Sequence, residues 1–351
     1  MKKKSIMIDC EKIKHPNTGL YSFCTQLTFA IEAIKDQYGL DTTYLITTKC
    51  LKHLPEIKYR LLNFWDKCYF KVNRDIKVFH ATFQLGKYIP KNSKVILTIH
   101  DLNFLYEKSS SKSLKLKNRV QKNIDRADYL VAISEFAKQD VLKHLDIKNK
   151  PFDVIYNGCT FYSGPQIEKP LYLPNGEFIF TIGTVLPKKN FHVLPNLLIG
   201  NDLILIIAGN RSKYEEKIMK VASELGVDSR VKIIGPVNEG DKDWYYRNCK
   251  AFVFPSIAEG FGLPVIEAMH YGKPTFISRH TSLPEIGKDF CFYFDYNFDP
   301  EKMRFEFKQG MDEFKNRDIN TQIEYAHSYS WENAAKEYCK IYNRLSDSST
   351  H

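Results

Sequence analysis

The chain has 351 residues, 43% of them hydrophobic and 26% charged, with a formal net charge of +10. This length and composition exclude a disordered or fibrous chain and favour two domains over a single core. The longest clean apolar run, Leu203 to Ala208, is too short to cross a bilayer, and eight scattered cysteines without C-x-x-C or zinc spacing point to free thiols in a reducing cytoplasm.

Met1-Lys2-Lys3-Lys4 imitates the start of a signal peptide, but the apolar stretch behind it ends at Asp9, so a first strand is the better reading. In chain order, the predicted strands of the first half are Ser5–Ile8, Thr43–Thr47, Lys77–His80, Lys94–Ile99, Tyr129–Ile133 and Phe152–Ile155. The predicted helices are Tyr21–Ala33, Lys112–Ala127 and Glu135–His144. In the second half the strands are Phe178–Ile182, Leu203–Ala208, Val231–Ile234, Ala251–Phe254, Thr275–Ile277 and Cys291–Phe294. Helices are expected near Lys189–Leu198, Tyr214–Leu225, Asp243–Asn248, Leu263–Met269 and Pro300–Lys315. Short apolar runs alternating with longer amphipathic ones mean parallel sheets flanked by helices, here built twice.

Thr160 to Glu177 carries three prolines and two glycines without periodicity, a linker composition. The expected division is residues 1–165, joined by a C-terminal helix over 330–351, against residues 170–329. Ser330 is a good N-cap for that helix. Two doubly wound domains facing one another would make a cleft at the carboxyl ends of their strands, where such sheets bind ligands.

The basic surplus calls for a polyanionic partner: nucleic acid, anionic lipid or a phosphorylated substrate. It is concentrated in Lys49–Arg74, where basic residues interleave with Leu51, Tyr59, Leu61, Phe64, Trp65 and Tyr69, and in Lys108–Arg126. Such segments suit contact with an anionic membrane, and equally two ordinary amphipathic helices with solvated lysines. No recognised nucleic-acid-binding module appears, and no G-x-G-x-x-G follows a strand.

The most informative stretch is Phe254-Pro255-Ser256-Ile257-Ala258-Glu259-Gly260-Phe261-Gly262-Leu263-Pro264-Val265-Ile266-Glu267. A buried strand gives way to a glycine turn, and Pro264 suits the first turn of a helix, whose N-terminus favours an anion. Glu259 lies before the turn and Glu267 is expected in the first helical turn, so two carboxylates can receive hydroxyls on either side of a diphosphate. Such a ligand is a nucleotide sugar. The segment Gly183-Thr184-Val185-Leu186-Pro187-Lys188-Lys189-Asn190 ends another strand and sets two lysines beside an expected helix start. Without further context those lysines read as solvated surface, and Glu267 as an ordinary helix N-terminal acid.

Together these motifs resemble the family-4 retaining glycosyltransferases (glycosyl transferases group 1), whose architecture is GT-B: α/β, with two Rossmann-like domains. The resemblance spans nearly the whole chain, is strongest from Gly183 to Glu285 and weakest from Lys35 to Arg74. It implies that Glu259 contacts the transferred sugar and Glu267 the ribose. The backbone of Gly260, Phe261, Gly262, Leu263 and Pro264 would hold the phosphates. It places Lys189 on the departing diphosphate, with Gly183, Thr184, Lys188 and Asn190 around it; Thr184 stands where many members have Arg. His100, at the end of a strand, would reach the sugar or phosphates, although such a His is commonly a structural hydrogen-bonder. Gly19 is the single glycine in a loop where many members carry two or more. Ser134 matches a family serine and reads also as a plain helix N-cap, and Asn157-Gly158 fits the family pattern at the domain junction.

Asp241-Lys242-Asp243 spells a D-x-D but sits where a helix should start, so helix capping is the better reading and no metal is expected. Neither is a cofactor; the nucleotide sugar, GDP- or UDP-linked, is a co-substrate. The form of the Gly183–Asn190 segment is similar to bacterial mannosyl- and rhamnosyltransferases of surface-polysaccharide assembly. The implied function is transfer of a hexose, mannose as first choice, to a glycan or lipid-linked acceptor in the cytoplasm, at the inner membrane face. A sugar-nucleotide epimerase of the same layout and a basic nucleic-acid-binding protein are the alternatives.

Overall fold

The computed structural model describes residues 3–16, 18–54, 56–67, 70–107 and 109–347. Of the positions named above, Met1, Lys2, Tyr69 and Lys108 lie outside them. The chain forms two compact units, Met1–Thr160 with Tyr329–His351, and Phe161–Ser328.

In unit 1 the strands are β1 (Lys4–Asp9), β2 (Leu40–Ile46), β3 (Tyr59–Leu61), β4 (Val78–Ala81), β5 (Lys94–Ile99), β6 (Tyr129–Ala132) and β7 (Phe152–Val154). They make one parallel sheet in the order β3-β2-β1-β4-β5-β6-β7. Helices α1 (Gly19–Ile34), α2 (Phe104–Glu107), α3 (Ser110–Arg126) and α4 (Glu135–His144) supply the crossovers. Burial on both faces explains why β6 reads as an unbroken apolar run rather than an alternating one, and why β4 is buried throughout with His80 as its one polar residue.

In unit 2 the strands are β8 (Phe178–Ile182), β9 (Ile204–Ala208), β10 (Val231–Gly235), β11 (Ala251–Phe254), β12 (Thr275–Ile277) and β13 (Phe292–Tyr293). Their order is β10-β9-β8-β11-β12-β13, again parallel. The helices are α5 (Glu215–Glu224), α6 (Glu239–Asn248), α7 (Leu263–His270), α8 (Leu283–Gly287), α9 (Pro300–Phe314) and α10 (Ile319–His327). Helix α11 (Trp331–Asp347) then returns to unit 1, with the Ser330 hydroxyl accepting from the N–H of Glu332 at 3.1 Å as its cap. Tyr338 and Tyr342 of α11 join a buried chain of hydrogen bonds with Thr98 and His80 of the sheet.

The sequence reading differs from the structure at definite places. Strand β3 falls inside the basic Lys49–Arg74 segment, which is not a helix: it folds as short 3-10 turns (Thr48–His53, Trp65–Lys67) around a strand that pairs with β2. The second basic segment is an amphipathic helix, α3, whose Val120 and Ile124 are fully buried in the unit 1 core. The α-helix expected over Lys189–Leu198 is a 3-10 helix from Phe191 to Leu198, because Pro195 inside it removes an N–H and Asn190 at its start is left-handed (φ 58°). Helix α6 starts at Glu239, earlier than expected. Its cap is Asn238, and Asp241 pairs reciprocally with that cap at 2.7 and 2.8 Å. Asp243 lies inside the helix on Arg247 and Tyr271.

Candidate functional site

A doubly wound sheet binds ligands where its strand order reverses, at the carboxyl ends of the two strands flanking the switch. In unit 2 those strands are β8 and β11, paired through Ala251–Ile179 and Phe252–Phe180. The two segments singled out from sequence leave these two strands, so the topology sets them side by side.

The loop after β8 depends on glycine. Gly183 has φ +154°, and a methyl group built on it would meet Lys189 Cε at 3.2 Å. Gly209, after β9, has φ +129° and packs on the Gly183 peptide, where an added Cβ would come within 2.1 Å of the Gly183 carbonyl oxygen. Thr184 follows, half-buried. Pro187–Lys189 then forms a single 3-10 turn closed by Asn190. This corrects the expectation that the lysines stand at an α-helix N-terminus: Lys188 and Lys189 belong to a tight turn instead.

That turn is clamped to the loop after β11. The Lys188 carbonyl accepts from the Ile257 N–H at 2.9 Å and from the Ser256 hydroxyl at 3.1 Å. Lys189 Nζ lies 2.5 Å from Glu259 Oε1 and 4.8 Å from the centre of the Phe254 ring. The Ser256 hydroxyl donates to the same carboxylate oxygen at 2.6 Å. The two side chains are 13% and 15% exposed, so the pair is shielded yet open to solvent on one side, and screened less than a surface pair.

Beyond Glu259, the turn is shaped from below. The Glu259 N–H donates to Thr281 Oγ1, and the buried Ser282 hydroxyl donates to the carbonyls of Glu259 and Phe261 at 3.1 and 2.7 Å. Those two carbonyls therefore point into the unit, so an anion at the α7 N-terminus would not face them. Gly262 caps α7 with φ +121°, which a side chain rarely adopts, and Leu263 and Pro264 open the helix.

Glu267 lies in the second turn of α7, one turn later than expected: the helix begins at Leu263 as predicted, and Glu267 is its fifth residue. Its carboxylate accepts from Lys242 Nζ at 2.9 Å and from the Tyr246 hydroxyl at 2.8 Å, both on α6. Burial works against the Lys242 charge, but the carboxylates of Glu267 and Glu239 overcome it and hold the ammonium well above its usual range. Sequence reasoning missed Gly209, Ser256, Thr281, Ser282, Lys242 and Tyr246. Thr281 and Ser282 follow β12 after three intervening residues, and nothing in the sequence sets them apart from an ordinary loop.

His100 and Gly19 belong to unit 1. His100, after β5, is 8% exposed, and its Nε2 donates to the Thr82 carbonyl at 2.8 Å. Its backbone N–H goes to Gln84 Oε1 at 3.1 Å. Burial lowers its pKa to about 4, against the raising effect of the Thr82 bond, so the ring is neutral near pH 7 with Nδ1 as an acceptor. Gly19 is the first residue of α1, two residues ahead of the predicted start. Thr18 caps the helix by accepting from the Tyr21 N–H at 3.2 Å, and a Cβ built on Gly19 meets nothing within 4 Å. Ser134 accepts from the Ala137 N–H at 3.1 Å, the N-cap role. Among the described residues, no group of three or more His, Cys, Asp or Glu side chains is arranged to hold a metal ion.

Residues 166–317 match the family described as glycosyl transferases group 1, and residues 47–160 match glycosyltransferase family 4. The chain belongs to the glycosyltransferases of this family. Among curated relatives of this glycosyltransferase, the serotype-specific mannosyltransferase WbdA of Escherichia coli is 32% identical over 249 residues, 64% of this chain. The match spans only 30% of that longer protein. The O-antigen chain mannosyltransferase B of Escherichia coli is 25% identical over 285 residues, covering 74% of this chain and 72% of the relative. Among solved structures, a sucrose-phosphate synthase from Thermosynechococcus elongatus superposes with a TM-score of 0.75 at 16% identity, covering 99% of this chain and 100% of that one. The shared fold is GT-B, α/β with two Rossmann-like domains.

Proposed function

We propose that this glycosyltransferase is a retaining, metal-independent hexosyltransferase. It moves a hexose, mannose as first choice, from a GDP- or UDP-linked donor to a hydroxyl of a glycan or lipid-linked acceptor. The setting is bacterial surface-polysaccharide assembly, of the lipopolysaccharide kind, in the cytoplasm. The observation that supports this best is the juxtaposition of Lys189 and Glu259 at the β8–β11 switch point, beside the glycine turn that opens α7. Mannosyltransferase relatives support the choice of sugar.

On this reading the acceptor oxygen bonds to the anomeric carbon on the face from which the diphosphate leaves. The bond from that carbon to the diphosphate oxygen breaks, and the acceptor proton passes to a phosphate oxygen. Lys188, Lys189 and the N-terminus of α7 balance the negative charge that develops on the leaving group. Glu259 receives hydroxyls of the sugar, and Glu267, oriented by Tyr246 and Lys242, receives those of the ribose. Neutral His100 accepts a hydroxyl at Nδ1. No protein nucleophile is required.

A thermal-shift screen of nucleotide sugars tests the donor. The correct one, at 100 times its Kd, stabilises the chain by about 2.7 kcal/mol. Turnover should survive EDTA, and the product should keep the donor's anomeric configuration. Failure of UDP, GDP and ADP alike to bind at millimolar concentration, or an inverted product, overturns the reading. An epimerase would change the donor without an acceptor.

A further inference from the structure

One end of unit 1 shows a second constellation. Strands β1, β2 and β3 are neighbours and parallel, so the segments leaving them share the carboxyl edge of the sheet. After β2, residues Thr48–His53 form a 3-10 turn, and all of them but the buried Cys50 line, with Lys14 and Pro16 after β1, a cavity of about 310 Å³. Its polar lining is Lys14, Thr48, Lys49, Lys52 and His53. Glu11 pairs with Lys14, whereas Lys49 and Lys52 are exposed and have no carboxylate within 4.0 Å among the described residues. After β3 comes a tip carrying Phe64 and Trp65, which are 68% and 74% exposed with ring centroids 5.7 Å apart.

That tip is built to present its rings. Asp66 is buried beneath it, takes Arg60 Nη2 at 2.5 Å and the Asn63 N–H at 2.9 Å, and gives its own N–H to Asn63 Oδ1 at 3.1 Å. Arg60 also donates to the Lys71 carbonyl at 2.7 Å. Two large aromatic side chains held in water by a braced loop forgo burial that either could have had, and exposed apolar surface of this kind marks a contact site. Leu51 and Leu61, 40% and 38% exposed, add aliphatic surface at the same edge.

We propose that this edge docks on an anionic phospholipid bilayer. Lys49 and Lys52 face lipid phosphates, one of which the cavity admits, while Phe64 and Trp65 enter the boundary between headgroups and acyl chains. Exposed leucines beside the rings favour a bilayer over single-stranded nucleic acid, which would use the rings for stacking alone. The inference rests on unit 1 and holds whichever sugar the chain transfers.

The test is co-sedimentation of the full chain with vesicles of phosphatidylcholine and phosphatidylglycerol (70:30), against pure phosphatidylcholine. Binding should require the anionic lipid and weaken with salt. Lys49→Ala and Lys52→Ala should each weaken it roughly fivefold. Brominated acyl chains should quench tryptophan fluorescence in the native chain, and the fold-preserving Trp65→Phe should keep binding while losing that quenching. Absence of binding to the anionic vesicles overturns the proposal, as does quenching unchanged in Trp65→Phe. So does retention on oligo-dT without vesicle binding. Inorganic phosphate at 10 mM should displace little protein from the vesicles; full displacement would mean a free-phosphate site and overturn the bilayer reading.

Discussion

Lys189 and Glu259 neutralise each other, and that constrains what their removal can do. Lys189→Ala leaves a carboxylate still held by Ser256, and Glu259→Ala leaves an ammonium still stacked on Phe254, so neither strands a wholly unpartnered buried charge. Both variants should fold. If the pair grips the donor, each should lose about 10²–10³ in turnover, the usual cost of one contact to developing charge, and near-normal sugar transfer by either purified variant would refute the assignment. Gly262→Ala should act differently. At φ +121°, with an added Cβ 2.8 Å from Leu283 Cδ2, it should cost about 1–3 kcal/mol in urea unfolding and raise the KM for donor as the turn relaxes. The glycines were legible because a left-handed turn forces their type, and the lysines because a cation pair beside such a turn stands out in sequence. Ser282 and Thr281 were not, since a hydroxyl that props up a turn from below is indistinguishable in sequence from an ordinary loop residue.

Elements were legible where burial is two-sided. Phe178–Ile182 and Ala251–Phe254 are predicted and observed alike, because a central parallel strand, buried on both faces, is mostly apolar. Edge strand β3 escaped for the opposite reason: Tyr59, Arg60 and Leu61 alternate with neither face buried, and their basic surroundings imitate a surface helix. Helix α11 shows what the junction requires. Gly158 lies so close to it that a Cβ would fall 2.1 Å from the Trp331 backbone nitrogen and 2.5 Å from its Cα. Since backbone cannot yield as a side-chain tip can, Gly158→Ala should push α11 off the sheet. A loss of about 1–3 kcal/mol in unit 1 stability is expected, read from Trp331 fluorescence in urea, while probes of unit 2 stay unchanged.

At the scale of the whole molecule, unit 1 should respond to acid through three buried groups. Burial lowers His80 to about 3 and His100 to about 4, so between there and 6.5 the unfolded chain takes up two protons that the folded one refuses. Burial also raises Asp9 to about 7, against the Glu11 N–H bond that lowers it, so over about 4–7 the folded chain holds one proton that the unfolded chain lacks. The difference is about one proton, and stability should fall by roughly 1.4 kcal/mol per pH unit between pH 6 and 5. Asp9→Asn removes the opposing group and should about double that slope; a flat profile in both proteins would contradict the assignment.

The discontinuity of unit 1 carries a consequence for biosynthesis. Its sheet is complete by residue 160, yet Tyr338 and Tyr342, which cap the buried polar chain around His80 and Thr98, follow only after the 168 residues of unit 2. At translation rates of about 5–20 residues per second, the nascent sheet waits roughly 10–30 s with that face uncovered. Unit 2, contiguous in sequence, can close meanwhile on its own. Chaperone capture during synthesis should therefore fall on the amino-terminal half, and cease when the tyrosine helix clears the ribosome.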